Sequence, residues 1–212
     1  MHKLQRGNAP ECLDKYRHGL HNWKHVTAED KTEIRQGLDT MQGQRCAYCE
    51  DDMSNGKNHI EHFLQRDRHP TRTFDWQNLF GSCNRETSCG KHKDRQPFYN
   101  PNDLIKPDEE DPEHFFLFVS DGTIAIREQL SANEKHRAEA TLRIFNLDAQ
   151  HGPLRRMRQK AVQGYKQQAE EFQLMAAEFP DLLPILLDEI KNLIADTAHL
   201  PFATAIKHTL SL

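Results

Sequence analysis

Two pairs of cysteines in the first half of the chain limit what this sequence can fold into. Cys46 and Cys49 form a C-x-x-C pair, and Cys83 and Cys89 form a second pair with five residues between them. Four thiolates in two close pairs suit tetrahedral Zn²⁺, because each of two loops can supply two ligands to one ion. The alternative is a set of disulfides or ordinary buried thiols, as we expect for the isolated Cys12.

The start of the chain and its hydropathy bear on the choice between metal and disulfides. Residues 1–6 do not resemble a secretory leader, and no run approaches the roughly 18 apolar residues that span a membrane. We therefore expect a cytoplasmic protein without membrane contact. Paired cysteines in the reducing cytosol favour a metal site over disulfides.

A histidine and an acidic residue are adjacent between the two cysteine pairs, in the segment NHIEHF at residues 58–63. In a strand, His59 and Glu61 would share one face and His62 would lie on the other, so Glu61 and His62 converge only where the strand twists or ends. A neutral imidazole can accept a proton from water that attacks phosphorus, and a carboxylate can hold a divalent cation. We predict His62 as general base and Glu61 as metal ligand; the alternative is a polar surface strand.

An asparagine follows in the segment WQNLF, at residues 76–80. Its amide can tie one loop to another, and asparagine tolerates unusual backbone conformations. We predict that Asn78 belongs to the catalytic site by holding the histidine loop in place. Trp76 is predicted to lie in the core, with stacking on a nucleic-acid base as the alternative.

The last cysteine is followed by the polar segment GKHKD, at residues 90–94. His92 lies three residues after that cysteine, so zinc coordination would fix its place as a second protein ligand of a catalytic metal. A helix that begins here would direct its N-terminus towards a phosphate, with Lys91 and Lys93 as phosphate contacts. The alternative for both lysines is plain surface charge. Asp94 is a further candidate, as a ligand or as the group that orients His92.

Taken in order, these motifs resemble the HNH endonuclease superfamily. The segments CAYCE, IEHF, WQNLFGSCN and CG-x-x-KD are similar to its PtuB branch, the nuclease half of Septu-type and retron-associated antiphage systems. The similarity weakens after about residue 105, and it extends to the N-terminal residues Arg6, Pro10, Leu13 and Trp23. The chain departs from the superfamily in having Glu61 where many members have Asp, and in its longer second cysteine pair.

The resemblance implies a fold and a set of partners. The fold is a zinc-stapled ββα-metal module in which the four cysteines bind structural zinc, His62 is the base, and Glu61 and His92 bind a catalytic Mg²⁺ or Mn²⁺ ion. The implied partners are a PtuA-like ATPase and, as a further candidate, a retron reverse transcriptase with its RNA–DNA hybrid. In that setting the nuclease is held inactive until infection. The sequence has no Walker loop, so nucleotide control would come from another chain.

The charge of the chain is unevenly placed. The net charge of −4 is unusual for a free-standing nuclease, because attraction to phosphate normally supplies most nonspecific affinity. Basic residues are concentrated in residues 57–95, whereas the acidic run at 108–113 is predicted to be a solvated surface. Arg66 and Arg68, in the polar loop 64–75, are predicted to contact the substrate backbone; the alternative is a loop without a ligand. We expect a partner to present the substrate.

The predicted fold class is α+β and mainly helical, in four segments. These are an N-terminal helical segment (1–45), the HNH module (46–96), a Pro-rich acidic linker with a hairpin (97–130) and a C-terminal helical region (131–212). Predicted helices cover residues 11–21, 27–43, 132–146, 153–178 and 185–197, a last short segment covers 201–210, and the hairpin joins 115–119 to 123–126. The local signals are N-cap residues Thr27 and Ser131, a capping-box Glu134, Pro153 in a first helical turn, and Pro180 and Pro184 as breaks.

We therefore predict a metal-dependent HNH endonuclease that hydrolyses phosphodiester bonds as the effector of an antiphage complex. DNA is the favoured substrate, and RNA such as transfer RNA stays open. One alternative is a zinc-stabilised binding adaptor without catalysis, and another is a stand-alone restriction-type nuclease. The C-terminal helices either close the core or bind a partner chain or a second copy, as in a homodimer.

Overall fold

Two small antiparallel sheets lie among helices in the computed structural model, which describes residues 1–211. The strands are β1 (Asn58–His62), β2 (Leu79–Cys83), β3 (Phe116–Phe118) and β4 (Ile124–Ile126). The helices are α1 (Ala28–Gln42), α2 (Cys89–Asp94), α3 (Pro112–Phe115), α4 (Ala132–Phe145), α5 (Pro153–Glu178), α6 (Leu183–Thr197) and α7 (Ala203–Leu210). Short 3₁₀ helices are Glu11–Lys15, Trp23–His25, Pro70–Arg72, Trp76–Asn78, Pro101–Asp103 and Pro180–Leu182. About half of the chain is helical, so the predicted α+β class with predominant helices is confirmed.

The first sheet and α2 form a strand–strand–helix unit. β1 pairs with β2 so that Ile60 lies opposite Gly81, and α2 follows β2 after a short loop. α1 is fastened to this sheet by Gln42, whose side chain donates to the Gly81 carbonyl (3.0 Å) and accepts from its N–H (2.7 Å). A Cβ on residue 81 would lie 2.9 Å from the Met53 methyl group and 3.1 Å from the Gln42 amide nitrogen, so a larger residue would displace these side chains.

The N-terminal prediction is half right. Thr27 caps α1 as expected, because its hydroxyl accepts from the Asp30 N–H at 3.1 Å. The predicted helix over 11–21 is wrong, because only a 3₁₀ helix forms over Glu11–Lys15 and the residues after it are not helical. Tyr16 and Lys15 both bond to the Asp30 carboxylate, and the backbone of Tyr16 is extended. These tertiary contacts outweigh the helical spacing of the apolar residues, and Gly19 then turns the chain at φ 86°.

The acidic run forms the predicted solvated surface only in part: Glu109 and Asp111 are exposed, but the other acids make contacts within the protein. The Asp108 carboxylate is buried and lies 2.7 Å from the Arg6 guanidinium. Glu110 pairs with Arg137, and Glu113 pairs with His208. The linker therefore wraps the molecule and uses its acids to join the N-terminal segment, α4 and α7.

The C-terminal helices follow the local signals closely. Ser131 and Glu134 form the predicted capping box, and α5 has the predicted bounds. Pro184 does not break a helix. It lies in the first turn of α6, where the N–H that proline lacks would have no helical partner.

One core joins all four predicted segments. Its buried side chains run from Met1 to Leu210, and the Tyr48 and Phe145 rings stack at 4.2 Å between the cysteine region and α4. A set of apolar side chains near the turn between α5 and α6 stays exposed: Leu174, Met175, Phe179, Leu182, Leu183, Ile185 and Leu187. None of the helices described here is both long and apolar enough to cross a membrane.

Candidate active site

The four paired cysteines surround one point beneath the strand–strand–helix unit. Cys46 and Cys49 lie in the turn before β1, Cys83 ends β2, and Cys89 begins α2. All four are free thiols, are buried, and have sulfur atoms within 4.8 Å of one another. The Cys49 and Cys83 sulfurs lie 3.8 Å apart. Sulfurs bound tetrahedrally to zinc at ~2.3 Å lie roughly 3.8 Å apart, so the cluster fits one Zn²⁺ ion rather than two disulfides.

This cluster also connects to the C-terminal helices through Glu50. Glu50 follows the first cysteine pair with a left-handed backbone (φ 65°) and is almost completely buried. Its carboxylate accepts from the Thr204 N–H (3.0 Å) and hydroxyl (2.7 Å) at the start of α7. The Met1 ammonium lies 2.6 Å from the same carboxylate. Zinc binding would therefore fix a loop that α7 and the first residue both contact.

His62 ends β1 and is held as a neutral imidazole. Its Nε2 lies 3.0 Å from the Thr73 carbonyl oxygen, which can only accept, so Nε2 carries the hydrogen and Nδ1 keeps a lone pair. Burial, followed by the charge of Arg66, lowers the pKa of His62 to about 3. The Trp23 ring packs edge-on against the imidazole at 4.5 Å. Nδ1 is therefore the ring nitrogen that can accept a proton from water.

Asn78 holds the loop that follows β1. Its amide nitrogen donates to the carbonyls of Leu64 (3.1 Å) and Arg72 (3.0 Å), and its amide oxygen accepts from the Leu64 N–H (2.7 Å). These three bonds join Asn78 to both ends of the loop that follows His62. The same loop carries Thr73, whose carbonyl contacts the His62 ring. The geometry is compatible with the predicted positioning role.

Glu61 lies under α2, on the face of that helix that carries Gly90 and Lys93. Its carboxylate is 1% exposed, and the Lys93 ammonium lies 2.9 Å from its Oε1. The same ammonium donates to the His62 carbonyl (3.1 Å) and the Asp94 carboxylate (2.6 Å). Burial by itself would lower the pKa of Lys93, but the charges of Glu61 and Asp94 outweigh burial and hold that pKa above its ordinary value. The structure therefore places the Lys93 ammonium inside the protein against Glu61, and not on the surface where we predicted a phosphate contact.

His92 and Lys91 project away from Glu61. The His92 Nδ1 lies 2.9 Å from the Ile144 carbonyl oxygen of α4, and the Lys91 ammonium pairs with Glu86 at 2.7 Å on the surface. Residues 90, 93 and 94 of α2 share the face towards Glu61, whereas residues 91 and 92 are rotated off it. The structure does not bring the predicted Glu61–His92 pair together.

A cavity of about 270 Å³ opens beside Glu61 and His62. The predicted substrate contacts Arg66 and Arg68 both lie on its wall. Its lining residues are His59, Ile60, Glu61, His62, Gln65, Arg66, Asp67, Arg68 and Asp94. The guanidinium groups of Arg66 and Arg68 also lie over aromatic rings, those of Trp23 (6.0 Å) and Phe98 (5.6 Å) respectively.

Sequence reasoning missed one histidine on this wall. The His59 Nε2 lies 3.5 Å from Glu61 Oε2, and its Nδ1 lies 3.0 Å from the Asn84 side-chain oxygen. Burial lowers the pKa of His59, but the hydrogen bond and charge of Glu61 raise it above its ordinary value. The signal was the strand alternation, which places residues 59 and 61 on one face.

The residues present fit a divalent ion at this cavity. Glu61 offers a buried carboxylate oxygen, and a Cβ on residue 90 would lie 2.4 Å from Glu61 Oε2, so glycine leaves that oxygen room. Asp94 adds a second carboxylate to the same wall. Carboxylates at the edge of an open cavity are the ligands that Mg²⁺ and Mn²⁺ prefer.

Comparison with known proteins points to the same chemistry. No family model matches the chain. A Vibrio cholerae (serotype O1, biovar El Tor) protein named "Retron Vc95 putative HNH endonuclease" is 30% identical over 136 residues, which are 61% of this chain and 64% of that protein. The chain thus spans less than two thirds of the length of this curated relative. The similarity supports an HNH-type nuclease.

Proposed function

We propose that this chain is a metal-dependent HNH endonuclease that hydrolyses phosphodiester bonds. The observation that carries the proposal is the pairing, at one cavity, of a neutral buried imidazole with a buried carboxylate. His62 and Glu61 lie at the end of β1, and the cysteine cluster joins its partner strand β2 to α2. The similarity to the V. cholerae protein supports the same class of reaction.

Each residue of the site has a distinct task in this proposal. The Nδ1 lone pair of His62 accepts a proton from the attacking water, while the Thr73 carbonyl holds the ring. Glu61 holds a divalent ion, which when bound neutralises charge on the scissile phosphate and the departing oxygen. Arg66 and Arg68 attract the phosphate backbone on the cavity wall.

The biological setting is proposed from the relative's name and from the PtuB-like motifs. We propose an antiphage effector that works in a complex with a PtuA-like ATPase and, as a further candidate, a retron reverse transcriptase with its RNA–DNA hybrid. The net charge of −4 supports a complex in which a partner presents the nucleic acid. DNA is the proposed substrate, with RNA as the alternative.

A cleavage assay on the complex that co-purifies from the native operon tests this proposal. Plasmid DNA and total cellular RNA are offered in parallel with Mg²⁺ or Mn²⁺. We expect His62→Ala to abolish cleavage without change in zinc content or melting temperature, because the base is lost while the fold is kept. His199→Ala, at an exposed position, is the control and should cleave normally. Full activity of His62→Ala would refute the assigned base.

A second candidate function is a zinc-stabilised adaptor without catalysis. The exposed apolar side chains at the turn between α5 and α6 favour it, because such surfaces often bind other proteins. The same assay separates the two functions. A folded, zinc-loaded complex that cleaves neither nucleic acid under any activating condition would support the adaptor, and cleavage lost in His62→Ala would end it.

A further inference from the structure

We infer that His59, together with Glu61, is the second protein ligand of the catalytic ion, and that Asn84 orients His59 for this role. The inference deepens the proposed nuclease function and rests on it. It replaces His92, which the sequence pattern indicated, with a histidine on the strand itself.

The first step is the convergence of the two side chains. His59 and Glu61 are two residues apart in β1 and therefore project from the same face. His59 Nε2 and Glu61 Oε2 lie 3.5 Å apart on the cavity wall. Two donors that each lie ~2.1 Å from a common ion are roughly 3.0–3.4 Å apart, so a small closing movement suffices to hold one cation between them.

The second step is the direction of the imidazole lone pair. The Asn84 amide nitrogen donates to the Asn58 carbonyl at 3.3 Å, which turns the amide oxygen towards His59 Nδ1 at 3.0 Å. Nδ1 must then carry the hydrogen, and in the neutral ring Nε2 presents its lone pair to Glu61 Oε2. A metal-bound histidine ordinarily has its second nitrogen fixed by an oxygen acceptor in this way.

The third step is the state of the Glu61 carboxylate. Lys93 lies beside Oε1 and leaves Oε2 on the side of His59. A Cβ at residue 90 would lie 2.4 Å from that oxygen, so glycine at this position lets the Glu61 carboxylate keep its place. Water and substrate phosphate oxygens can complete the coordination from the open cavity, with Asp94 nearby.

The ligand set also indicates the class of ion. An imidazole nitrogen favours first-row transition ions over Mg²⁺. His92 is a less suitable ligand than His59, because both of its ring nitrogens lie near other protein groups, the Ile144 carbonyl and the Gln96 amide. We therefore expect Mn²⁺ to bind more tightly than Mg²⁺, and to do so through residue 59.

The test is a Mn²⁺ titration of the full, zinc-loaded chain, followed by the EPR signal of free Mn²⁺. We expect His59→Ala to weaken Mn²⁺ binding at least ~10-fold, and Asn84→Ala to weaken it by roughly 10-fold through loss of the orienting bond. His92→Ala, the matched histidine control on α2, should bind as the wild type does. Zinc content and melting temperature confirm that each variant is folded.

A second substitution separates metal binding from a simple ion pair. His59→Glu offers a carboxylate ligand but cannot pair with Glu61, so we expect it to retain Mn²⁺ binding. Unchanged affinity in His59→Ala, or equal losses in His59→Ala and His92→Ala, would overturn the inference. So would a His59→Glu chain that is folded but does not bind Mn²⁺.

Nucleic-acid cleavage, measured on the same samples, keeps the two proposals apart. Mn²⁺ binding that depends on residue 59 in a complex that never cleaves would uphold the metal site and count against the nuclease function. Cleavage that persists while Mn²⁺ affinity is indifferent to residue 59 would uphold the function and refute this ligand.

Discussion

Lys93 is a lysine without exposed surface, and its ammonium lies among oxygen atoms of Glu61, His62 and Asp94. Removing a charge from water is costly, so a buried ammonium persists only where its partners compensate. Here the compensation is mutual, because Glu61 is equally buried. Lys93 thus acts as a fixed counter-charge that sets the rotamer of Glu61.

Replacing Lys93 with methionine tests this pair, since methionine keeps an unbranched side chain without the charge. Glu61 is then left buried without its cation, and we expect the free energy of unfolding to fall by about 3–5 kcal/mol in urea denaturation of the zinc-loaded chain. Lys91→Met, on the same helix, breaks only a surface pair and should cost less than about 1 kcal/mol. Equal losses for the two variants would contradict the role of Lys93.

At the scale of elements, α2 determines which side chains reach Glu61. Gly90 and Lys93 lie one turn apart on the inner face, and the close approach of the helix depends on the missing Cβ of Gly90. The Gly90 N–H donates to the Ser82 hydroxyl at 3.2 Å, which joins α2 to β2. The backbone of the helix is therefore joined to the sheet through the Ser82 side chain.

Gly90→Ala places one methyl group in this contact. The new Cβ would lie 2.4 Å from Glu61 Oε2, so either the carboxylate rotates or α2 moves. We expect cleavage to fall by about a hundredfold, because displacement of a catalytic group by ~1 Å has effects of that order. The control is Gly164→Ala in α5, where a Cβ meets nothing within 4 Å. It should keep full activity and gain about 0.5–1 kcal/mol of stability. Normal cleavage by Gly90→Ala would show that the contact tolerates a methyl group.

Local signals explain what the sequence could predict at this scale. Pro153 begins α5, and Ser131 with Glu134 begins α4. Both helix starts could be predicted because they depend only on residues that are close together in the sequence. Glu61 and His62 were likewise proposed from neighbouring residues, and their catalytic roles stay a prediction. The phase of the short helix α2 was not predictable, because Cys89 begins it with a left-handed backbone (φ 59°), and a rotation of one residue exchanges His92 for Lys93. Asn84 reaches His59 only through the pairing of β1 with β2.

At the scale of the whole molecule, ion pairs from the acidic run hold distant parts of the chain together. Glu113 begins the segment that leads into β3, and its carboxylate lies 2.9 Å from His208 Nε2 and 2.8 Å from the Lys207 ammonium, both in α7. The hydrogen bond from His208 is the main reason that the pKa of Glu113 falls to about 2, although burial opposes it. This carboxylate therefore connects the middle of the chain to its last helix.

The lowered pKa of Glu113 predicts an acid-dependent loss of stability. The unfolded carboxyl binds a proton near its ordinary pKa of 4.5, before the folded one does. The contribution is therefore complete above pH ~4.5 and declines as the pH falls towards about 2. Since the Glu113 side chain is partly exposed, we expect Glu113→Gln to lower the free energy of unfolding by about 1–2 kcal/mol at pH 7. In urea denaturation that difference from the wild type should shrink below pH ~4.5, and growth of the difference would contradict the assignment. Zinc loss in acid affects both proteins alike.

The stacking of Tyr48 on Phe145 has a consequence for how the cysteine region can be handled. Tyr48 lies within the first cysteine turn, and its partner ring comes from α4, almost a hundred residues later. Glu50 in the same turn is bound to α7. The cysteine region therefore shares its core with the C-terminal helices, and no linker separates the two. The cysteine region therefore cannot be transferred to another protein by itself. Evolution or engineering would have to transfer it together with the helices that it packs against.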